Sequence, residues 1–173
     1  NVKCKLNQEF LLNFVNEYGK FQVASSDLVS FAYSELWPDQ YPTYASLNGA
    51  IRKDTQLGLA SVLALYMNYP VKSGNFNTPA VLLTEAVVLT SGGDRLSLGD
   101  LGMLSSEYYP NDKLKMSEEL KRKMTDYADF MVAYENVLRG DLIESSETST
   151  LKGIKSGITL SPKSVWITSK ENS

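Results

Sequence analysis

Histidine is absent from this chain, and cysteine occurs once, at Cys4. Zinc, haem and thiol–imidazole mechanisms each need His, paired Cys or both, so the chain by itself offers too few ligands or bases for them. Carboxylates, Tyr and Lys are left to carry any acid–base chemistry, and no metal or cofactor is expected. One Cys forms no internal disulfide and leaves the compartment open. Long apolar runs are also missing: the most apolar stretch, Pro79–Thr90, contains Thr84 and Glu85. It falls short of the roughly 20 apolar residues that span a bilayer, so no membrane association is expected. Nor is there an excess of positive charge, with 17 basic against 20 acidic residues and a formal charge of −3. The longest basic run, Lys121–Lys123, follows Glu118 and Glu119 and reads as a solvated helix face, so a nucleic-acid partner is not expected. No signal peptide is visible, and because the chain opens on Asn1, a targeting segment upstream is compatible with it.

What is present suits one globular domain: 173 residues, 43% of them hydrophobic, a length that buries about 70% of the unfolded surface. The decapeptide VSFAYSELWP, Val29–Pro38, carries the strongest local signal. Val29, Phe31 and Tyr33 read as a buried parallel strand that runs out into Glu35, Leu36 and Trp37. In a barrel of alternating strands and helices, the C-terminal ends of strands line the active-site mouth, so Glu35 beside Trp37 is a candidate acid next to a stacking platform. A solvent-facing carboxylate beside a core Trp explains the same residues.

Taken in order, LLNFV at Leu11–Val15 reads as a strand with Asn16, Glu17, Tyr18 and Gly19 at its exit. A short helix over Lys20–Ser25 precedes the strand at Val29, and Leu47 and Ile51 suggest a helix over Tyr44–Lys53. SVLALYM at Ser61–Met67 is a second apolar strand closed by Asn68, Tyr69 and Pro70. Thr78 as cap and Pro79 at the first helical position start an all-round apolar helix that stops at Gly92 and Gly93, and Glu85 within it needs a partner. Arg95–Leu98 alternates like a strand. The clearest helix is Ser117–Leu138, capped by Ser117 and stopped by Gly140, with one apolar stripe: Leu120, Met124, Tyr127, Met131, Tyr134 and Leu138. After Gly140 the composition turns to Ser, Thr, Lys and Gly, with β-like pieces at Gly157–Leu160 and Val165–Thr168. Strand–helix alternation argues for parallel strands joined by right-handed crossovers, either half of an eight-unit barrel or a small open doubly wound sheet. Gly92–Gly93 ends a helix and lacks P-loop spacing, so nothing supports a nucleotide-binding open sheet.

Several blocks in this order resemble one family: NEYG (Asn16–Gly19), YSELWP (Tyr33–Pro38), LALYMNYP (Leu63–Pro70), NTPAVLLTEAVVLTSGG (Asn77–Gly93), LSSEYYPN (Leu104–Asn111), LKMSEELK (Leu114–Lys121) and YADFMVAYENVLRG (Tyr127–Gly140). They are similar to the second half of the catalytic domain in the dextranase family, glycoside hydrolase family 66, which also includes the cycloisomaltooligosaccharide glucanotransferases. The resemblance covers roughly Leu11 to Gly140. It implies an α/β fold, the C-terminal half of a (β/α)8 TIM barrel of about four βα units, over residues 1–140. The start of a C-terminal β-sandwich would follow over 141–173. It also implies retaining cleavage of internal α-1,6-glucosidic bonds in dextran or isomaltooligosaccharides, with Glu35 as general acid/base. The second carboxylate of such a pair, roughly 5–5.5 Å away, is the nucleophile. In the family it is an Asp on an earlier strand, which this chain does not contain. Asp27 lies in the turn ahead of Glu35's own strand, at the wrong end of the barrel.

The expectation is therefore part of an endo-α-1,6-glucanase, supplying the acid/base but not the nucleophile, inactive alone and partnered by the N-terminal half of the barrel. A fragment, a split subunit or a degenerate, non-catalytic carbohydrate-binding remnant would each fit. Secretion or display at the cell surface is expected, since the family's polymer substrate is too large to import. The family pattern has His and Glu where GGDRLSLGD carries Arg95 and Ser97, which puts substrate positioning there in doubt; Asp94 and Arg95 could also simply pair. Candidate substrate-binding residues are Tyr33, Trp37, Tyr66, Asn68, Glu17, Asp94 and Arg95. Tyr41, Tyr44, Tyr69, Tyr108 and Tyr109 add rings near strand ends that could stack on sugar faces or anchor loops.

Overall fold

The computed structural model describes residues 11–26, 29, 31–65, 67, 71, 73–96 and 114–139, with the backbone of 142–145 and 169–172. By internal packing the chain divides into Asn1–Asp129 and Phe130–Ser173, a division that falls inside the last helix.

The first unit is α/β and built on a parallel sheet. Strands β1 (Phe31–Leu36), β2 (Ala60–Leu65) and a short β4 (Asp94–Arg95) lie in the order β1-β2-β4, all parallel. On the free side of β1 the expected strand over Leu11–Val15 contracts to one parallel bridge, Asn13 to Tyr33, where Phe14 N–H donates to the Tyr33 carbonyl at 2.9 Å. A 3-10 turn at Val15–Glu17 then ends it. A separate parallel pair, β3 (Gly74–Asn75) with β5 (Leu114–Lys115), had no counterpart in the sequence pattern.

The helices are α1 (Lys20–Ala24), which precedes β1, α2 (Tyr44–Gln56), which joins β1 to β2, α3 (Thr78–Thr90), which precedes β4, and α4 (Glu118–Leu138), which follows β5. Their starts are chemically specified. Thr43 and Ser46 close a capping box on α2, Thr43 Oγ1 accepting from Ser46 N–H at 3.1 Å and Ser46 Oγ from Thr43 N–H at 3.2 Å. On α3 the cap is Asn77 and not Thr78, with Asn77 Oδ1 accepting from Ala80 N–H at 3.0 Å. An Asn side chain reaches the third turn amide more easily from outside the helix, which leaves Thr78 and Pro79 as the first helical residues. Ser117 Oγ accepts from Leu120 N–H at 3.1 Å and caps α4.

The ends of α2 and α3 share one device. Gly58 and Gly92 adopt φ of 75° and 92°, and the next amides, Leu59 and Gly93, reach back to the carbonyls of Asp54 and Val88 at 2.9 and 3.0 Å. This six-to-one bond turns the chain from helix into strand within two residues and satisfies helix carbonyls that would otherwise be orphaned.

On β1 burial alternates: Ala32, Ser34 and Leu36 are buried under the helices, while Phe31, Tyr33 and Glu35 are half-buried on the opposite face. Leu36, Leu63 and Leu65 pack with Leu47, Ala50 and Ile51 of α2 and Val88 of α3. Phe14, Val29, Ala32 and Leu59 make a second cluster, and Phe76, Val81, Leu114 and Leu120 a third. Leu120 is the one stripe residue of α4 that is buried; Met124 and Tyr127 are half-buried.

In the second unit, Phe130, Val132, Tyr134 and Val137 are exposed along α4, and the Phe130 and Tyr134 rings stack with centroids 4.7 Å apart. Tyr134 departs from helical geometry (φ −119°, ψ 16°). Strands β6 (Leu142–Ser145) and β7 (Ser169–Asn172) pair antiparallel. The β-like pieces expected at Gly157–Leu160 and Val165–Thr168 lie outside the described residues.

Candidate active site

The two faces of the parallel sheet have different chemistry. Register places Asn13, Tyr33, Val62 and Asp94 in one row across the sheet, with Glu35 one pleat further toward the C-terminal ends, opposite Ala64. Among the described residues, α2 and α3 pack on the opposite face. Asn13 Nδ2 donates to Glu35 Oε2 at 2.8 Å, a link across 22 residues of chain. Burial pushes the Tyr33 phenol up, and the Glu35 charge adds to the effect, so the ring and carboxylate share one local field. Trp37 follows the strand end half-buried, its backbone N–H donating to Asn16 Oδ1 at 3.3 Å.

The exit of the first strand is strained. Asn16 (φ 49°) and Glu17 (φ 65°) both sit in the left-handed region, at a cost of about 1–2 kcal/mol for a residue such as Glu. Side-chain bonds hold them there. Glu17 Oε2 accepts from Tyr41 OH at 2.6 Å and from Lys53 Nζ at 3.2 Å, and Lys20 Nζ lies 3.6 Å from Oε1. Lys20, itself buried, reaches Asp54 Oδ1 at 2.5 Å, and Ser61 Oγ donates to Asp54 Oδ2 at 2.6 Å. Ser61 shares the register row of Ala32, so this network lies on the helix-covered side of the sheet.

Its electrostatics follow from that position. Burial by itself would raise Glu17, but the Tyr41 hydrogen bond and the Lys20 and Lys53 charges outweigh it and leave the carboxyl below its ordinary value. Burial pushes Asp54 up, against its bonds to Lys20 and Ser61. Burial also pushes the Tyr41 phenol up, reinforced by Glu17.

Arg95 shares a register row with Leu63, on that same covered side, and its side chain is fully buried. Its Nη1 lies 3.5 Å from Glu85 Oε2 of α3, which supplies the partner that Glu85 needs. Burial pushes Glu85 up against the Arg95 charge and pushes Arg95 down against the Glu85 charge. Among the described residues, the three guanidinium nitrogens have no hydrogen-bond partner of good geometry.

Of the candidate residues, the structure thus brings Tyr33 and Glu35 together, with Trp37 just beyond them. Asp94 lies in Tyr33's row two strands away, about 10 Å at ordinary strand spacing. Glu17 and Arg95 are engaged in ion pairs on the helix side, away from Glu35. Tyr66, Asn68, Tyr69, Tyr108 and Tyr109 lie outside the described residues. Asn13 escaped the sequence reading because it sits inside the apolar run LLNFV; the one polar residue in that run was the available signal.

The geometry is that of a parallel α/β sheet with a half-buried carboxylate at a strand end. The family model described as "Glycosyl hydrolase family 66" matches residues 1–173, and the chain belongs to that family. It is 34% identical over 105 residues to a "Cycloisomaltooligosaccharide glucanotransferase" of Niallia circulans, covering 58% of this chain and 11% of that protein. It is 36% identical over 103 residues to a second protein of the same description and organism, covering 56% and 11%. It is 33% identical over 96 residues to a "Dextranase" of Streptococcus salivarius, covering 51% and 12%. The matched stretch is thus about a tenth of each relative's length.

Proposed function

We propose that this chain is one wall of a retaining endo-α-1,6-glucanase acting on dextran or isomaltooligosaccharides, with Glu35 as general acid/base. The observation that carries the proposal is the position of Glu35: half-buried, at the C-terminal end of a parallel strand, on the face opposite the one that α2 and α3 pack against. In strand–helix barrels reacting groups gather at that end of the sheet. The parallel row from Asn13 through β1 and β2 to β4 is compatible with four consecutive barrel strands, and we read it as half of a (β/α)8 barrel leading to a β-sandwich. Membership of family 66 and the dextranase and glucanotransferase relatives support the α-glucan substrate.

In this reading Glu35 protonates the glycosidic oxygen as the bond to the anomeric carbon breaks, then takes a proton from the incoming water or sugar hydroxyl. The attacking carboxylate comes from outside residues 1–173. Tyr33 and Trp37 offer aromatic surface to the sugar rings and Asp94 a hydroxyl partner, while Glu17 and Arg95 act by holding the loop and strand that carry these groups. A substrate polymer too large to import places the work outside the cell or at its surface.

The test is hydrolysis of dextran by the intact natural polypeptide that contains these residues. Glu35→Gln is expected to lower kcat by about 10²–10⁴-fold, with the anomer first released by the parent retained. Hydrolysis at the parent rate by Glu35→Gln would remove the assignment.

A further inference from the structure

We infer that Asn13 is a positioning residue for Glu35, orienting its carboxyl group through both halves of the reaction; this rests on the acid/base reading above. A half-buried Glu has three side-chain torsions and loses up to about 2 kcal/mol of rotamer freedom when fixed, so a proton donor at a strand end needs something to hold it. Asn13 is built for that. Its backbone is clamped to β1 by the Asn13–Tyr33 bridge, and Phe14 N–H bonds to the Tyr33 carbonyl at 2.9 Å. From that anchor its short side chain delivers one N–H to Glu35 Oε2 at 2.8 Å.

The choice of a carboxamide matters. Its N–H donates at every pH, and Glu35 Oε2 accepts whether the group is a carboxylate or an acid protonated on the other oxygen. The same bond therefore survives the change from proton donor to proton acceptor. A Lys or Arg at this place would bind the carboxylate well and the acid poorly, and an Asp would repel it. Asn13 acts through its bond to Glu35, so its effect is expected on turnover rather than on binding.

The experiment compares Asn13→Asp and Glu35→Gln in the intact polypeptide on dextran, alongside the side-chain amide NMR signals of that same polypeptide labelled selectively at Asn. Asn13→Asp keeps the shape and loses the donor. It is expected to lower kcat by about 10- to 100-fold, the cost of a misplaced catalytic group, with KM within about twofold of the parent. The Asn13 side-chain amide protons are expected to move with pH in the parent chain and to stop moving in Glu35→Gln. If Asn13→Asp turns over within about twofold of the parent while Glu35→Gln is inactive, the positioning role is wrong and the acid/base assignment stands. If Glu35→Gln is fully active, the acid/base assignment itself is wrong. Should Asn13→Asp fail to fold, the NMR titration decides: amide protons that ignore pH and Glu35 overturn the proposal.

Discussion

At the residue scale, the ion pairs around Glu17, Asp54 and Arg95 do different work from the carboxylate at the strand end. Glu17 is held by Tyr41, Lys20 and Lys53 with its carboxyl below the ordinary value of 4.5. A lowered carboxyl favours the folded state above pH 4.5 and loses that contribution as pH falls through the depressed value. Asp54 acts in the opposite sense, since its raised value means that ionisation costs stability as pH rises. Urea unfolding is expected to find Glu17→Gln destabilised by about 1–2 kcal/mol at pH 7, with the gap to the parent narrowing as pH falls below 4.5. A gap that stays constant would contradict the pairing. Arg95 and Glu85 give a sharper case, because the guanidinium is buried with poor hydrogen bonding. Arg95→Met alone strands a buried carboxylate and is expected to cost about 3–5 kcal/mol, whereas Arg95→Met with Glu85→Leu returns to or above the parent. Residue types announced that Glu85 needed a partner, but not which one: strand alternation turned Arg95 toward α3, and two residues of strand are too few to show that from sequence.

At the element scale, helices were more legible than strands. Caps, apolar spacing and Gly stops located α1 through α4 to within a few residues, because those signals are local. The strands depend on neighbours, so LLNFV shrank to a bridge; of the strand expected over Arg95–Leu98, β4 holds Arg95, and Ser97 and Leu98 lie outside the described residues. The apolar stripe of α4 shows the limit of periodicity. It marks which side is apolar, while burial is set by what lies opposite, and Phe130 and Tyr134 remain half or more exposed. The helix-to-strand turns predict a specific sensitivity. Gly92→Ala forces a Cβ into the left-handed region and is expected to cost about 1–2 kcal/mol in thermal or urea unfolding. One residue on, the Cβ of Gly93→Ala would meet Ile51 Cδ1 at 2.9 Å in a filled core, for a further expected cost of about 1–3 kcal/mol. Either variant matching the parent would mean that the backbone has an alternative turn.

At the scale of the whole molecule, the sheet has two sides that differ in what they need. One is packed by α2 and α3; the other presents Phe31, Tyr33 and Glu35 half-buried, and among the described residues β4 pairs with β2 alone. Unpaired parallel edges invite further strands. The 173-residue polypeptide by itself is expected to self-associate or to require additional barrel strands, which sedimentation and unfolding would detect; a stable monomer with one cooperative transition would count against the half-barrel reading. The alternation of elements was legible in the sequence, yet four units suit both half a barrel and a small open sheet, and closure depends on strands that no local pattern specifies. What makes the account catalytic rather than architectural is one side chain. The most direct measurement is therefore dextran hydrolysis by the intact polypeptide, parent against Glu35→Gln at equal concentration. The account predicts loss of about two to four orders of magnitude in kcat, and undiminished turnover would contradict it.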